Sequence, residues 1–464
     1  MEKGFAAKSG AYLNSSSSLP AVFYLLLPYP KKAMQTIPRD PSLDSTLDVV
    51  REGFPFIWNR VRNLHSDIFQ IRLMGQRAIC LHGPEAAELF YDPAYFVRTG
   101  AVPRRVQTTL MGLDAVQTHD GAEHRCRKDA FMALMTPQSR GRLMRLLARE
   151  WQAAAEYWAG QEEIVLFDEA QEVLCRAACA WAGVPLPDED ARRRARDFGL
   201  MVDAFGGAGP RHWRGKRART RTEDWMEGLI KQIRKGRLEV AAGSPADVMA
   251  GLGDADGELL SARMAAIELI NVVRPIVAIA TYITFAAVAL HEYPAYKGLL
   301  RADEEYTEYF VQEVRRDFPF APFLGARVRQ DFTWRGCRFD KGTLVLLDVY
   351  GLNHDPRVWP EPNVFWPDRF RHQAISPYNF IPQGGGYYDT GHRCAGEWIT
   401  IETLKQAVTF LNTGIRYEVP AQDLRYDLTR MPTLPASGFV MRQVRPTGQP
   451  APTAVQTAAC PFHH

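Results

Sequence analysis

Phe380-Ile-Pro-Gln-Gly-Gly-Gly-Tyr-Tyr-Asp-Thr-Gly-His-Arg-Cys394-Ala-Gly-Glu397 is the stretch whose reading decides the fold of this chain. Four glycines (Gly384, Gly385, Gly386 and Gly391) precede the cysteine and let backbone approach something large and flat without side chains in the way. From Gly396 to Leu411 the apolar spacing predicts a helix, which puts Cys394 just before a helix N-terminus. Free amides and the positive end of the helix dipole stabilise a thiolate there. A thiolate carried on such a loop is what an axial ligand of haem iron requires. The other cysteines (Cys80, Cys126, Cys175, Cys179, Cys337 and Cys460) form no C-x-x-C pair and read as plain thiols of a reducing compartment.

Upstream of the loop stand Glu313-Val-Arg-Arg316 and Trp366-Pro-Asp-Arg369-Phe. An E-x-x-R alone says almost nothing, because helical ion pairs at that spacing are common. In this order before the cysteine loop, the set resembles the cytochrome P-450 superfamily from about residue 37 to residue 445. The resemblance implies a mainly α fold, one large helical domain with small β-sheets, holding haem b (iron protoporphyrin IX) in its core with Cys394 on the iron. It also implies that Glu313, Arg316 and Arg369 form a buried ion network, a structural device because unpaired buried charges are costly.

The cysteine loop is longer than the superfamily's general pattern, with Phe380 further from Cys394. That glycine-rich loop ending Gly-His-Arg-Cys is similar to the fatty-acid peroxygenase branch. So are Glu268-Leu-Ile-Asn-Val-Val-Arg-Pro-Ile-Val-Ala, Phe310-Val-Gln-Glu-Val-Arg-Arg and Gly351-Leu-Asn-His-Asp-Pro-Arg. The branch implies hydrogen-peroxide-dependent hydroxylation of long-chain fatty acids at the alpha or beta carbon, with no obligatory redox partner protein.

Ser261 to His291 is the most apolar helical stretch of the chain, and it contains Arg274-Pro275 where ordinary P-450 monooxygenases carry an acid-alcohol pair. Pro275 removes a backbone donor to the Asn271 carbonyl and should bend the helix. Arg274 is a permanent cation in apolar surroundings, costly without an anion. One reading pairs it with an internal carboxylate such as Glu268. The other makes the missing anion the substrate's own carboxylate, bound through two parallel hydrogen bonds. That carboxylate could then take a proton from one peroxide oxygen and return one to the other.

Gly112-Leu-Asp-Ala-Val-Gln117-Thr-His-Asp-Gly-Ala-Glu-His124-Arg-Cys-Arg-Lys128 is also similar to the branch. The resemblance places Gln117 above the haem, where alkene-forming decarboxylases carry His, and Leu110 in the acyl pocket. His124 and Lys128, four residues apart on one helical face, and Arg98 are candidates for the haem propionates; solvated surface positions are the alternative.

Composition adds bounds. The 464 residues are 46% hydrophobic with a net charge of +3, too little to point to nucleic acid. Met144 to Ala159 and Trp225 to Val240 read as helices, and Ile68 to Leu73, Ala78 to Leu81 and Leu344 to Val349 as strands. The basic run Arg211, Arg214, Lys216, Arg217, Arg219, Arg221 reads as a solvated loop, or as a guide for an anionic substrate. Residues 1–36 read as a disordered leader. Its apolar run Leu19 to Leu27 is too short to span a bilayer, which leaves a cytoplasmic location, with peripheral membrane or organelle contact as the alternative. Residues 37–445 read as one catalytic domain and 446–464 as a disordered tail. The competing functions are a fatty-acid decarboxylase giving terminal alkenes, a partner-dependent monooxygenase, and a non-catalytic haem or lipid sensor.

Overall fold

Five strands, Ile68–Leu73 (β1), Gln76–Leu81 (β2), Phe96–Val97 (β3), Phe323–Val328 (β4) and Leu344–Asp348 (β5), form a sheet in the spatial order β1-β2-β5-β4-β3. β1 and β2 are antiparallel, joined by Met74 and Gly75, both at positive φ, and β2 runs parallel to β5. The computed structural model describes residues 35–449. Nearly all of the leader and of the tail lie outside these residues; Pro446, read as the start of the tail, ends the strand Val440–Pro446.

Helices make up most of the rest: Gly121–Ala133 (α1), Pro137–Trp158 (α2), Leu166–Ala182 (α3), Gly209–Arg234 (α4), Ala262–Ala278 (α5), Ala280–Glu292 (α6), Glu304–Asp317 (α7) and Glu397–Thr409 (α8). α2 starts earlier than the apolar spacing suggests, because Thr136 caps it by accepting from the Ser139 amide at 3.2 Å. α5 is capped in the same way by Ser261. Across α5 and α6, 94% of the most apolar window lies inside the protein, so this is a core helix pair. α5 packs on α3 and α4, and α6 on α7 and α8.

Two local expectations are corrected. The helix stays regular through Pro275, and the break falls at Ile279, whose amide bonds to Ile276 O in a tighter turn. The basic run is helical and belongs to α4, which ends at Arg234 and not at Val240. Its polar stretch is helical because one face is apolar: Gly215, Ala218, Thr222, Met226 and Ile230 are buried. Around that stripe, arginines pair with carboxylates, Arg219 with Glu223 on the helix and Arg221 with Asp197.

Candidate active site

A cavity of about 380 Å³ lies between α5 and the loop that enters α8, a size suited to a small-molecule or cofactor site. Arg274, Pro275 and Ile279 line it from α5, and Gln383, Gly384 and Cys394 from the loop. Cys394 stands three residues before Glu397, the first residue of α8. Gln383 Nε2 lies 3.8 Å from its sulfur. Burial pushes the Cys394 thiol up, with Glu397 adding to it, against the Gly396 amide, Lys128 and Arg315. The start of α8 acts in the expected sense, the Gly396 amide lowering the thiol while burial raises it.

The glycines of the loop also have a closer occupant than expected. A Cβ at Gly384, Gly385 or Gly386 would meet Tyr91 at 3.0, 3.0 and 3.1 Å, and at Gly385 also the Pro377 carbonyl at 2.7 Å. The ring of Tyr91 thus packs against this backbone, while Gly384 also lines the cavity. Gly384 and Gly386 further need positive φ, 91° and 79°.

Arg274 is 7% exposed and its nearest polar contact is Asn271 Oδ1, 3.4 Å from Nη2; its Nε has no partner. Glu268 is not its counter-ion. That carboxylate is held by Arg127 at 2.9 Å, the Val116 amide at 2.9 Å and Asn271 Nδ2 at 3.3 Å. Desolvation, then the charge of Arg219, pushes the Arg274 guanidinium down to about 9, so it remains a cation at neutral pH. Gln117 faces the same cavity, and its Oε1 is buried without a partner. It sits in the turn Val116–Thr118, which Glu268 fixes through Val116.

Arg98, His124 and Lys128 line the cavity as well. Burial pushes His124 down to about 3, with His392 and Lys128 adding to it, so its ring is neutral and stacks on His392 at 4.0 Å. Burial likewise lowers Lys128 to about 8; its Nζ donates to Arg393 O at 2.7 Å. Arg98 lies over the rings of Phe90 and Tyr91. The nearby Asp120 is engaged by the amides of Arg98 and Thr99 and the Thr99 hydroxyl.

A family model described as Cytochrome P450 matches residues 300–420. Cytochrome P450 4A7 of Oryctolagus cuniculus is 34% identical over 139 residues, 30% of this chain and 25% of that relative. The chain thus spans about a quarter of the length of the curated relatives it matches. The solved structure of cytochrome P450EX alpha (CYP152N1) with myristic acid is 44% identical, with a TM-score of 0.86 over 89% of this chain and 100% of that one. Cytochrome P450 OleT in complex with arachidonic acid is 37% identical, with a TM-score of 0.87 over 89% and 100%. This chain belongs to the cytochrome P450 family.

The P450 cofactor fits the donor set. Cys394 offers sulfur to the iron from the wall of the cavity. Arg98 and Lys128 are buried cations that enter no salt bridge among the described residues, which suits anionic propionates. Buried Glu313 accepts from the buried Arg316 at 2.8 Å and Arg369 at 3.0 Å, and from the Trp366 amide at 2.8 Å. Arg369 also donates to Val364 O at 2.8 Å, tying the segment before the cysteine loop to α7.

The structure therefore brings Cys394, Arg274, Pro275, Gln117, Arg98, His124 and Lys128 to one cavity. Leu110 is not among its lining residues; its neighbour Met111 is. Sequence reading missed Asn271, Tyr91 and a second network in which Arg393 and Arg315 grip Glu397. Although burial works against it, those arginines hold the Glu397 carboxyl well below the usual range. Arg393 and Glu397, four apart around Cys394, were the available signal.

Proposed function

We propose that this P450 hydroxylates long-chain fatty acids at the alpha or beta carbon, using hydrogen peroxide and no redox partner. The observation that carries the reading is Arg274: a buried cation beside the Cys394 pocket with no carboxylate against it among the described residues. Solved relatives bearing myristic and arachidonic acids support a fatty acid as the anion that fills this place.

Haem bound through Cys394 supplies the oxidising chemistry, with thiolate donation favouring O–O cleavage. Arg274 binds the carboxylate through paired, charge-assisted hydrogen bonds that fix its plane as well as its position. Asn271, one turn earlier on α5, steadies the guanidinium through its Oδ1. Held there, the carboxylate accepts a proton from peroxide at one oxygen and returns a proton to the departing oxygen. The chain supplies no acid-alcohol pair for that transfer, since Arg274 and Pro275 occupy its place. Pinning the carboxylate also limits which carbons reach the pocket of Cys394 to the first few, hence alpha and beta hydroxylation.

The test is purified holoprotein with a long-chain acid and hydrogen peroxide, without reductase or NAD(P)H, and product analysis by mass spectrometry. Alpha- or beta-hydroxy acids are expected. Turnover only with a reductase system, or terminal alkenes as the main product, contradicts the proposal.

A further inference from the structure

Arg219 belongs to the basic run, yet its side chain is 2% exposed. Its guanidinium donates to Leu110 O at 2.9 Å and Met111 O at 3.2 Å, while Nε donates to Glu223. Those two carbonyls close the five-residue π-helix Gln107–Met111, whose last turn has no following amides to satisfy it. A forked cation serves both acceptors and opposes the negative end of the turn.

The Met111 carbonyl is shared. It also accepts from Asn271 Nδ2 at 2.8 Å, and Asn271 Oδ1 faces Arg274. Gly112 shows how tightly the segment is seated. Its φ is +92°, and a Cβ there would lie 2.5 Å from both Arg219 Nη2 and Ile267 Cγ2. Met111 lines the cavity, so the position of this short helix sets one wall beside the Arg274 site.

We infer that Arg219 is a positioning residue: through the Leu110 and Met111 carbonyls it fixes the wall that Met111 forms beside Arg274 and thereby sets the direction in which the acyl chain leaves the bound carboxylate. The inference rests on the fatty-acid reading above. Glu223 keeps Arg263 at 2.7 Å as a partner when Arg219 is replaced, so a substitution there leaves that carboxylate paired.

The test compares Arg219→Met and Arg219→Lys with wild type as haem-loaded enzymes. Myristic acid binding is followed by the substrate-induced change in the ferric haem spectrum, and products by the alpha-to-beta ratio. Peroxide-driven oxidation of a small aromatic in the presence of acetate is measured alongside. Arg219→Met should bind myristic acid about tenfold more weakly, the scale of one hydrogen bond to a charged group, and shift the alpha-to-beta ratio. Arg219→Lys should fall between, because a point charge cannot serve both carbonyls. Acetate-assisted oxidation should stay near wild type, since acetate has no chain to meet the wall. Unchanged myristic acid binding and product ratio in both variants overturns the inference, whatever the melting temperature. So does loss of haem from both, which would make Arg219 a folding element. Wild type that neither binds nor hydroxylates the acid would instead refute the fatty-acid reading.

Discussion

The guanidinium of Arg127 lies 2.9 Å from the carboxylate of Glu268, and this pairing leaves Arg274, further along α5, without a carboxylate partner among the described residues. Glu268 also accepts from the Val116 amide, so the same carboxylate fixes the turn that carries Gln117. One internal ion pair thus holds the turn that brings Gln117 to the cavity and takes up the carboxylate nearest to Arg274 on α5.

Arg274→Ala should retain haem and the thiolate spectrum of its reduced carbon monoxide complex while losing fatty-acid binding and turnover. Truncating one partner of a buried, hydrogen-bonded charge pair costs roughly 2–5 kcal/mol, so at least a tenfold fall is expected. Optical titration and product analysis check this. Near-wild-type turnover would make Arg274 a structural residue.

Gly385→Ala should weaken the cysteine loop through packing alone, because Gly385 does not need positive φ. The added methyl meets the Pro377 carbonyl at 2.7 Å and Tyr91 at 3.0 Å. Overpacking of this kind costs about 1–3 kcal/mol, so the variant should melt earlier and release haem sooner on heating. Haem retention and melting equal to wild type would show that the loop has room that the geometry denies.

His82 is a buried ring with Nδ1 2.9 Å from Asp348 and Nε2 3.0 Å from Asp355. Burial opposes its charge, but the two carboxylates raise it from 6.5 to about 9. Because the folded value is the higher one, its stabilisation is complete below 6.5 and fades as pH rises through about 9. Such a rise corresponds to about 3 kcal/mol. The melting difference between wild type and His82→Asn should therefore be at its full value at about pH 6.5 and shrink steadily as pH rises toward about 9. A difference constant across that window would mean that the ring is neutral in the fold.

What could be read in the chain without its structure follows the range of the interactions. The cysteine loop, the helix after it and β1 and β2 are short-range features, set by glycine content and by apolar spacing over a few residues. The burial of Arg219 was hidden, because its acceptors lie 108 and 109 residues away and its neighbours on α4 are exposed arginines. The fate of Glu268 was hidden for the same reason: Arg127 is 141 residues away, whereas Arg274 lies on the same helix. The glycines announced a close approach, but nothing local could tell that the approaching surface includes Tyr91. Leu110 was assigned by resemblance; Met111, next to it in the π-helix Gln107–Met111, is the residue of this segment that lines the cavity.

In the proposed mechanism the acid–base group is the bound carboxylate and no part of the protein. A fatty alcohol or methyl ester should therefore react poorly, and a short acid should restore proton transfer for a molecule that lacks one. The direct measurement is peroxide-driven oxidation of a simple aromatic by the holoenzyme, with and without acetate, at constant pH and ionic strength. The account predicts a rate at least about tenfold higher with acetate, the low end of general acid–base contributions, and no such gain in Arg274→Ala. Equal rates with and without acetate would contradict it and assign the proton transfer to the protein, through Gln117 with water or through a carboxylate.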